Sequence, residues 1–161
     1  MLALLQARWS KMRDIPTGPQ DLESFTAGLQ ERGLVIIATP SSRIKISLAL
    51  SMALQVATTN SHGVGLFSLV MNKYYVLQQL LAMRTGLDVH RLCDGRITDE
   101  ERTLVTTTAK ALSGAKMWID DTSDLSVMQL RERAQQLVER HQIALIMVDH
   151  LHLLRTSGHG E

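Results

Sequence analysis

Short apolar runs separated by helix-like stretches set the strongest limit on what this 161-residue chain can fold into. Residues 34–38, 64–69, 116–120 and 144–148 are strand candidates, most of them continuous apolar runs of the kind a sheet covered on both faces requires. Between them, residues 46–56 are apolar on most sides, and Val76, Leu77, Leu80 and Leu81 form a stripe at helical spacing. Thr98 with Glu101 and Ser126 with Gln129 fit the capping box, in which the first side chain accepts from the third helical amide and the Glu or Gln reaches back. They predict helices near residues 99–112 and 127–141. Strands alternating with helices imply right-handed crossovers and a mostly parallel α/β sheet with helices on both faces.

A chain of this length forms one domain and buries roughly two thirds of its unfolded surface. Its 17 Lys and Arg nearly balance 16 Asp and Glu, with no block of like charge, so net charge gives no argument for nucleic-acid binding. Cys93 is the sole cysteine, which excludes an internal disulfide and fits a reducing compartment. No window reaches the roughly 20 apolar residues of a membrane helix, and the short apolar start is followed by Arg8, Lys11 and Arg13. A soluble, cytoplasmic protein without membrane contact is expected. Leu5, Trp9 and Met12 predict an amphipathic helix over residues 1–14 that packs on its own domain or docks on a neighbouring subunit. Pro16, Gly18 and Pro19 break the chain after it, and residues 157–161 read as a frayed tail.

Ligands of an open parallel sheet bind beyond the carboxyl ends of its strands. Two such ends carry information. Residues 38–46 join the first strand candidate to the first long helix, where nucleotide hydrolases place a phosphate loop. Lys45 sits at the lysine position, Ile44 replaces the glycine before it, and Ile46 replaces the metal-binding hydroxyl. The second end is Asp149, delivered by the apolar run before it, as a metal-holding aspartate would be.

Order and spacing join these features. Ile15, Pro16, Thr17, Gly18, Asp21 and Leu22, then Ala27 to Leu29, residues 38–45 with one residue inserted, and Phe67 to Met71 follow one another as in the RecA-fold motor domain of DnaB-type replicative helicases. So do Arg91, Leu92, Gly95, Ile97 and Thr98, then Ile119 to Thr122, and Ile146, Val148, Asp149, Leu151 and Leu153. The chain resembles that family over residues 15–154, and residues 15–156 are expected to form part of its motor domain. The resemblance implies a RecA-like P-loop fold, ATP and magnesium as ligands, and a role in DNA replication with DNA reached through a ring of subunits. It assigns Ser41, Ser42, Arg43 and Lys45 to nucleotide phosphates, Asp149 to magnesium and His152 to the γ-phosphate sensor position, where the family has glutamine. It also marks the departures. Val70 occupies the place of the water-activating glutamate and accepts no proton. Ile46 holds no metal, and a β-branched Ile44 suits a phosphate-loop backbone poorly. A truncated unit with weak or lost ATP and magnesium binding and little or no hydrolysis is expected, lacking the DNA-contacting loops.

Two other functions remain open at this point: a non-catalytic module that docks on RecA-like helicase subunits through Leu5, Trp9 and Met12, and a small-molecule phosphotransferase on the same fold. Arg43 and Lys45 read equally as solvated cations. Asp120 and Asp121 read as turn and cap carboxylates, Cys93 as a partly buried small hydrophobe, and Tyr74 and Tyr75 as one exposed and one packed ring. His150 and His152 share a face, with no third residue at metal-ligand spacing.

Overall fold

The structure, a computed structural model, describes residues 28–29, 33–59 and 63–155. Three parallel strands, β1 (Gly63–Ser68), β2 (Met117–Asp120) and β3 (Ile143–Asp149), form a sheet in the order β2-β1-β3 among the described residues. Among the described residues, five helices surround it: α1 (Ser42–Thr59), α2 (Lys73–Thr85), α3 (Val89–Cys93), α4 (Asp99–Leu112) and α5 (Val127–His141). A 3-10 turn, Leu151–Leu153, follows β3.

Every residue of β1 is buried, as befits a strand flanked on both edges and covered on both faces. Alternation along it sorts the core. Val64 packs with Ala53, Val56 and Ala57 of α1, and Leu66 with Leu50, Leu54, Val76 and Leu80 of α1 and α2. Phe67 turns to the other face, against Leu69, Leu125, Leu130 and Leu137. Gly65 shares that face, and a β-carbon there meets Ile146 and Leu137 side chains at 2.8 and 3.3 Å. The register sets Leu66 opposite Ile119 and Met147, and Ser68 opposite Asp149, so the strand ends meet at one rim.

Local signals fix the helix limits. Both capping boxes form: Thr98 Oγ1 accepts from Glu101 N and Ser126 Oγ from Gln129 N, with Glu101 and Gln129 reaching back. Asn72 caps α2 through Tyr75 N at 2.9 Å, and Gly86 ends that helix in the left-handed region at φ 73°. Arg91 grips Glu101 with both guanidinium nitrogens, at 3.0 and 2.8 Å, and ties α3 to α4.

Several expectations change. Residues 34–38 form no strand: residues 33–39 are irregular, and Leu34, Val35 and Ile36 are exposed. An apolar run becomes a strand only when a neighbour takes its amides and carbonyls, and β3 pairs with β1 alone among the described residues. α1 runs from Ser42 to Thr59, beyond the predicted 46–56, and α3 is additional. Cys93 is exposed, its Sγ 3.1 Å from Gln78 Oε1, because the short α3 leaves it outside the core. Leu77 is exposed on the stripe that buries Val76 and Leu80. Tyr74 is exposed and Tyr75 half-buried. The amphipathic helix with Leu5, Trp9 and Met12 and the tail at 157–161 lie outside the described residues. No helix among the described residues is long and apolar enough to cross a membrane.

Candidate functional site

The carboxyl rim of the sheet brings together two of the residues singled out in the sequence. Lys45, in the first turns of α1, and Asp149, the last residue of β3, form an ion pair with Nζ 2.9 Å from Oδ1. Both are largely screened from water, with side-chain exposures of 22% and 13%. Asp149 Oδ2 is buried and without a hydrogen-bond partner among the described residues. Its backbone is pinned, since Asp149 O accepts from Leu69 N at 2.7 Å.

The loop into α1 is closed by its own side chain. Thr39 Oγ1 donates to Ser41 O at 2.7 Å and accepts from Ser41 N at 3.0 Å. Ser41 O also accepts from Lys45 N at 3.1 Å, the first hydrogen bond of the helix. The amides of Ser42, Arg43 and Ile44 precede any intrahelical acceptor and form the positive end of α1. No acidic residue stands in that first turn. Ser42 and Arg43 are exposed beside it. Thr39 had no assigned role in the sequence reading; its hydroxyl two residues before Ser41 is the signal, because such hydroxyls compete for turn backbone.

The apolar replacements are explained by where they point. Ile46 packs against the cluster of Leu50, Leu54, Leu66, Val76 and Leu80. Ile44 and Val70 face solvent at the rim, 61% and 55% exposed. Ser68, two residues before Val70 on the chain, is buried and spends its hydroxyl on Met71 O at 2.7 Å. His152 lies in the turn after β3, its ring 5.3 Å from that of His150 in an edge arrangement, and is exposed. Among the described residues, no group of three or more His, Cys, Asp or Glu is placed to hold a metal ion.

Asp120 and Asp121, at the end of β2, serve the fold. Asp121 Oδ2 accepts from Lys73 N at the start of α2, at 2.9 Å. Asp120 binds Arg133 of α5 at 2.8 Å and the Thr122 amide at 2.9 Å. Partial burial of Asp120 opposes its charge, but the hydrogen bonds from Thr122 and Arg133 outweigh it and hold the carboxyl below its ordinary range. A cleft of about 430 Å³ opens beside this pair, lined by Trp118, Arg133, Arg140 and His141 among others. None of residues 38–46 lines it, and both its carboxylates are already engaged.

The DnaB-like helicase C terminal domain family matches residues 14–161. The chain is 30% identical over 160 residues to the replicative DNA helicase DnaB of Geobacillus stearothermophilus, a match that spans 99% of this chain and 35% of that protein. It is 31% identical over 157 residues to the replicative DNA helicase DnaC of Bacillus subtilis (strain 168), spanning 98% and 35%. The chain thus covers about a third of the length of these relatives. Among solved structures it is similar to the ATPase domain of G40P, with a TM-score of 0.86 and 22% identity over 99% of this chain and 58% of the other. A structure described as a DnaB-like replicative helicase and its interactions with primase gives 0.86 and 21%, over 99% and 41%. Both share the RecA-like α/β fold of the described residues.

Proposed function

The chain belongs to the DnaB-like helicase C-terminal domain family, and from that premise we propose that it is a replicative-helicase ATPase unit with a reduced nucleotide site. In this reading Ser41, Ser42, Arg43 and Lys45 seat nucleotide phosphates at the amino end of α1, weakly, and ATP turnover is slight or nil. The observation that carries it is the placement of Lys45 at that helix end, beside the tip of β3 and paired with Asp149. A helix start with free amides and a cation is a seat for phosphate oxygens. Thr39 holds the loop in a fixed shape by its two hydrogen bonds to Ser41.

Among the described residues, the same rim lacks what a hydrolysing site would need next. Val70 offers no proton acceptor to an attacking water. The residues also do not complete a magnesium site. Asp149 presents one orphaned oxygen, but its other oxygen is taken by Lys45, and Ile46 places methyl groups in the core instead of a hydroxyl at the rim. His152, at the γ-phosphate sensor position, lies exposed near His150. Contact with DNA, and any role in replication, would then come through the ring of helicase subunits in which such a unit sits.

Titration of a fluorescent ATP analogue into the 161-residue chain tests the seat. Weak saturable binding that disappears in Lys45→Ala is expected. Binding of equal strength in that variant would overturn the reading.

A further inference from the structure

We infer that Asp149 is an internal competitor of phosphate for Lys45, so that this site takes a polyphosphate without a metal ion and takes it more tightly when the Asp149 charge is removed. The inference rests on the phosphate seat proposed above and concerns how that seat is regulated.

The geometry of the pair is unequal. Asp149 ends β3, its carbonyl bonded to Leu69 N and its register fixed opposite Ser68, so its carboxylate stays at the rim. Lys45 reaches it on a flexible four-carbon stem from a helix turn. A phosphate arriving at the amides of Ser42, Arg43 and Ile44 must therefore draw the ammonium away from an oxygen 2.9 Å distant. It then lies close to a carboxylate that has lost its ion-pair partner and is largely shielded from water, where like charges repel strongly.

A divalent cation between phosphate and carboxylate would turn that repulsion into attraction. The second oxygen ligand that would hold one is replaced by Ile46, which is packed against Leu50, Leu66 and Leu80. With no cation held, the carboxylate acts only against the anion. Arg43, exposed and in no ion pair among the described residues, supplies the other positive charge at the seat.

Calorimetric titration of inorganic tripolyphosphate into the chain, in chelator and in excess magnesium, tests this. Wild type should bind weakly in chelator and no more tightly in magnesium. Asp149→Asn should bind about tenfold more tightly in chelator, and Lys45→Ala should not bind. A merely structural role for Asp149 would move affinity the other way. Equal or weaker binding by Asp149→Asn, or tightening of the wild type by magnesium, would overturn the inference while leaving the phosphate seat standing. Absence of binding by both wild type and Asp149→Asn would overturn the seat and the inference together. Should Asp149→Asn fail to fold by circular dichroism, the wild-type magnesium comparison decides alone.

Discussion

Lys45 Nζ lies 2.9 Å from Asp149 Oδ1, an ion pair that bolts the first turns of α1 to the tip of β3. The two ends of this pair differ in what they lose when parted. Asp149 is 13% exposed and has one oxygen already without a partner, whereas Lys45, at 22%, can carry its ammonium into water along its stem. Lys45→Met should therefore cost about 1 to 3 kcal/mol of stability, and Asp149→Asn less. Urea unfolding of the two variants measures this; the reverse order would contradict the burial argument.

Acid should weaken the contact between β2 and α5. Asp120 titrates below its ordinary range when folded, despite the opposing effect of burial, because Thr122 and Arg133 hydrogen-bond to its charged form. A folded value below the unfolded one contributes stability that is present above the unfolded value, near 4, and is lost as pH falls through the folded value. Asp120→Asn should therefore lower stability at neutral pH and flatten the acid side of the profile. Part of the slope should persist, since Asp88, bonded by the Arg91 amide, and Glu101, bonded by the Thr98 amide and Arg91, are shifted the same way. An unchanged acid limb in thermal unfolding from pH 3 to 7 would count against this assignment.

Two glycines of β1 should differ in their tolerance of a methyl group. At Gly63 an added β-carbon meets His141 O at 3.0 Å as well as Ile143 and Trp118 side chains at 2.8 and 2.9 Å. At Gly65 it meets only side-chain ends. Gly63→Ala should cost about 1 to 3 kcal/mol and Gly65→Ala less, because the carbonyl of the last residue of α5 yields less readily than a Leu or Ile tip. Denaturant midpoints of the two variants give the comparison, and a more damaging Gly65→Ala would refute it.

The parts of the fold that were legible in the sequence are those specified by neighbours in the chain. Thr98 with Glu101 and Ser126 with Gln129 mark where α4 and α5 start, because a capping box is satisfied within one turn. The runs that became β1, β2 and β3 were visible as short, largely apolar segments. Residues 34–38 carry the same pattern and form no strand, since a strand also needs a partner that no local pattern supplies. At the site, Lys45 and Asp149 were legible separately, through order and spacing. Their direct pairing was not, as it depends on how α1 packs across the sheet. The hydroxyl of Thr39 closing onto Ser41 and the turn of Ile46 into the core were likewise settled by packing.

The central claim is that this helicase-family unit has lost hydrolysis while keeping the lysine and aspartate of its nucleotide site. Steady-state ATP turnover by the purified chain, set against Lys45→Ala purified in parallel, tests it most directly. The account predicts rates that cannot be told apart, because Val70 supplies no base and Ile46 no metal ligand. Wild-type turnover well above that of Lys45→Ala would contradict it.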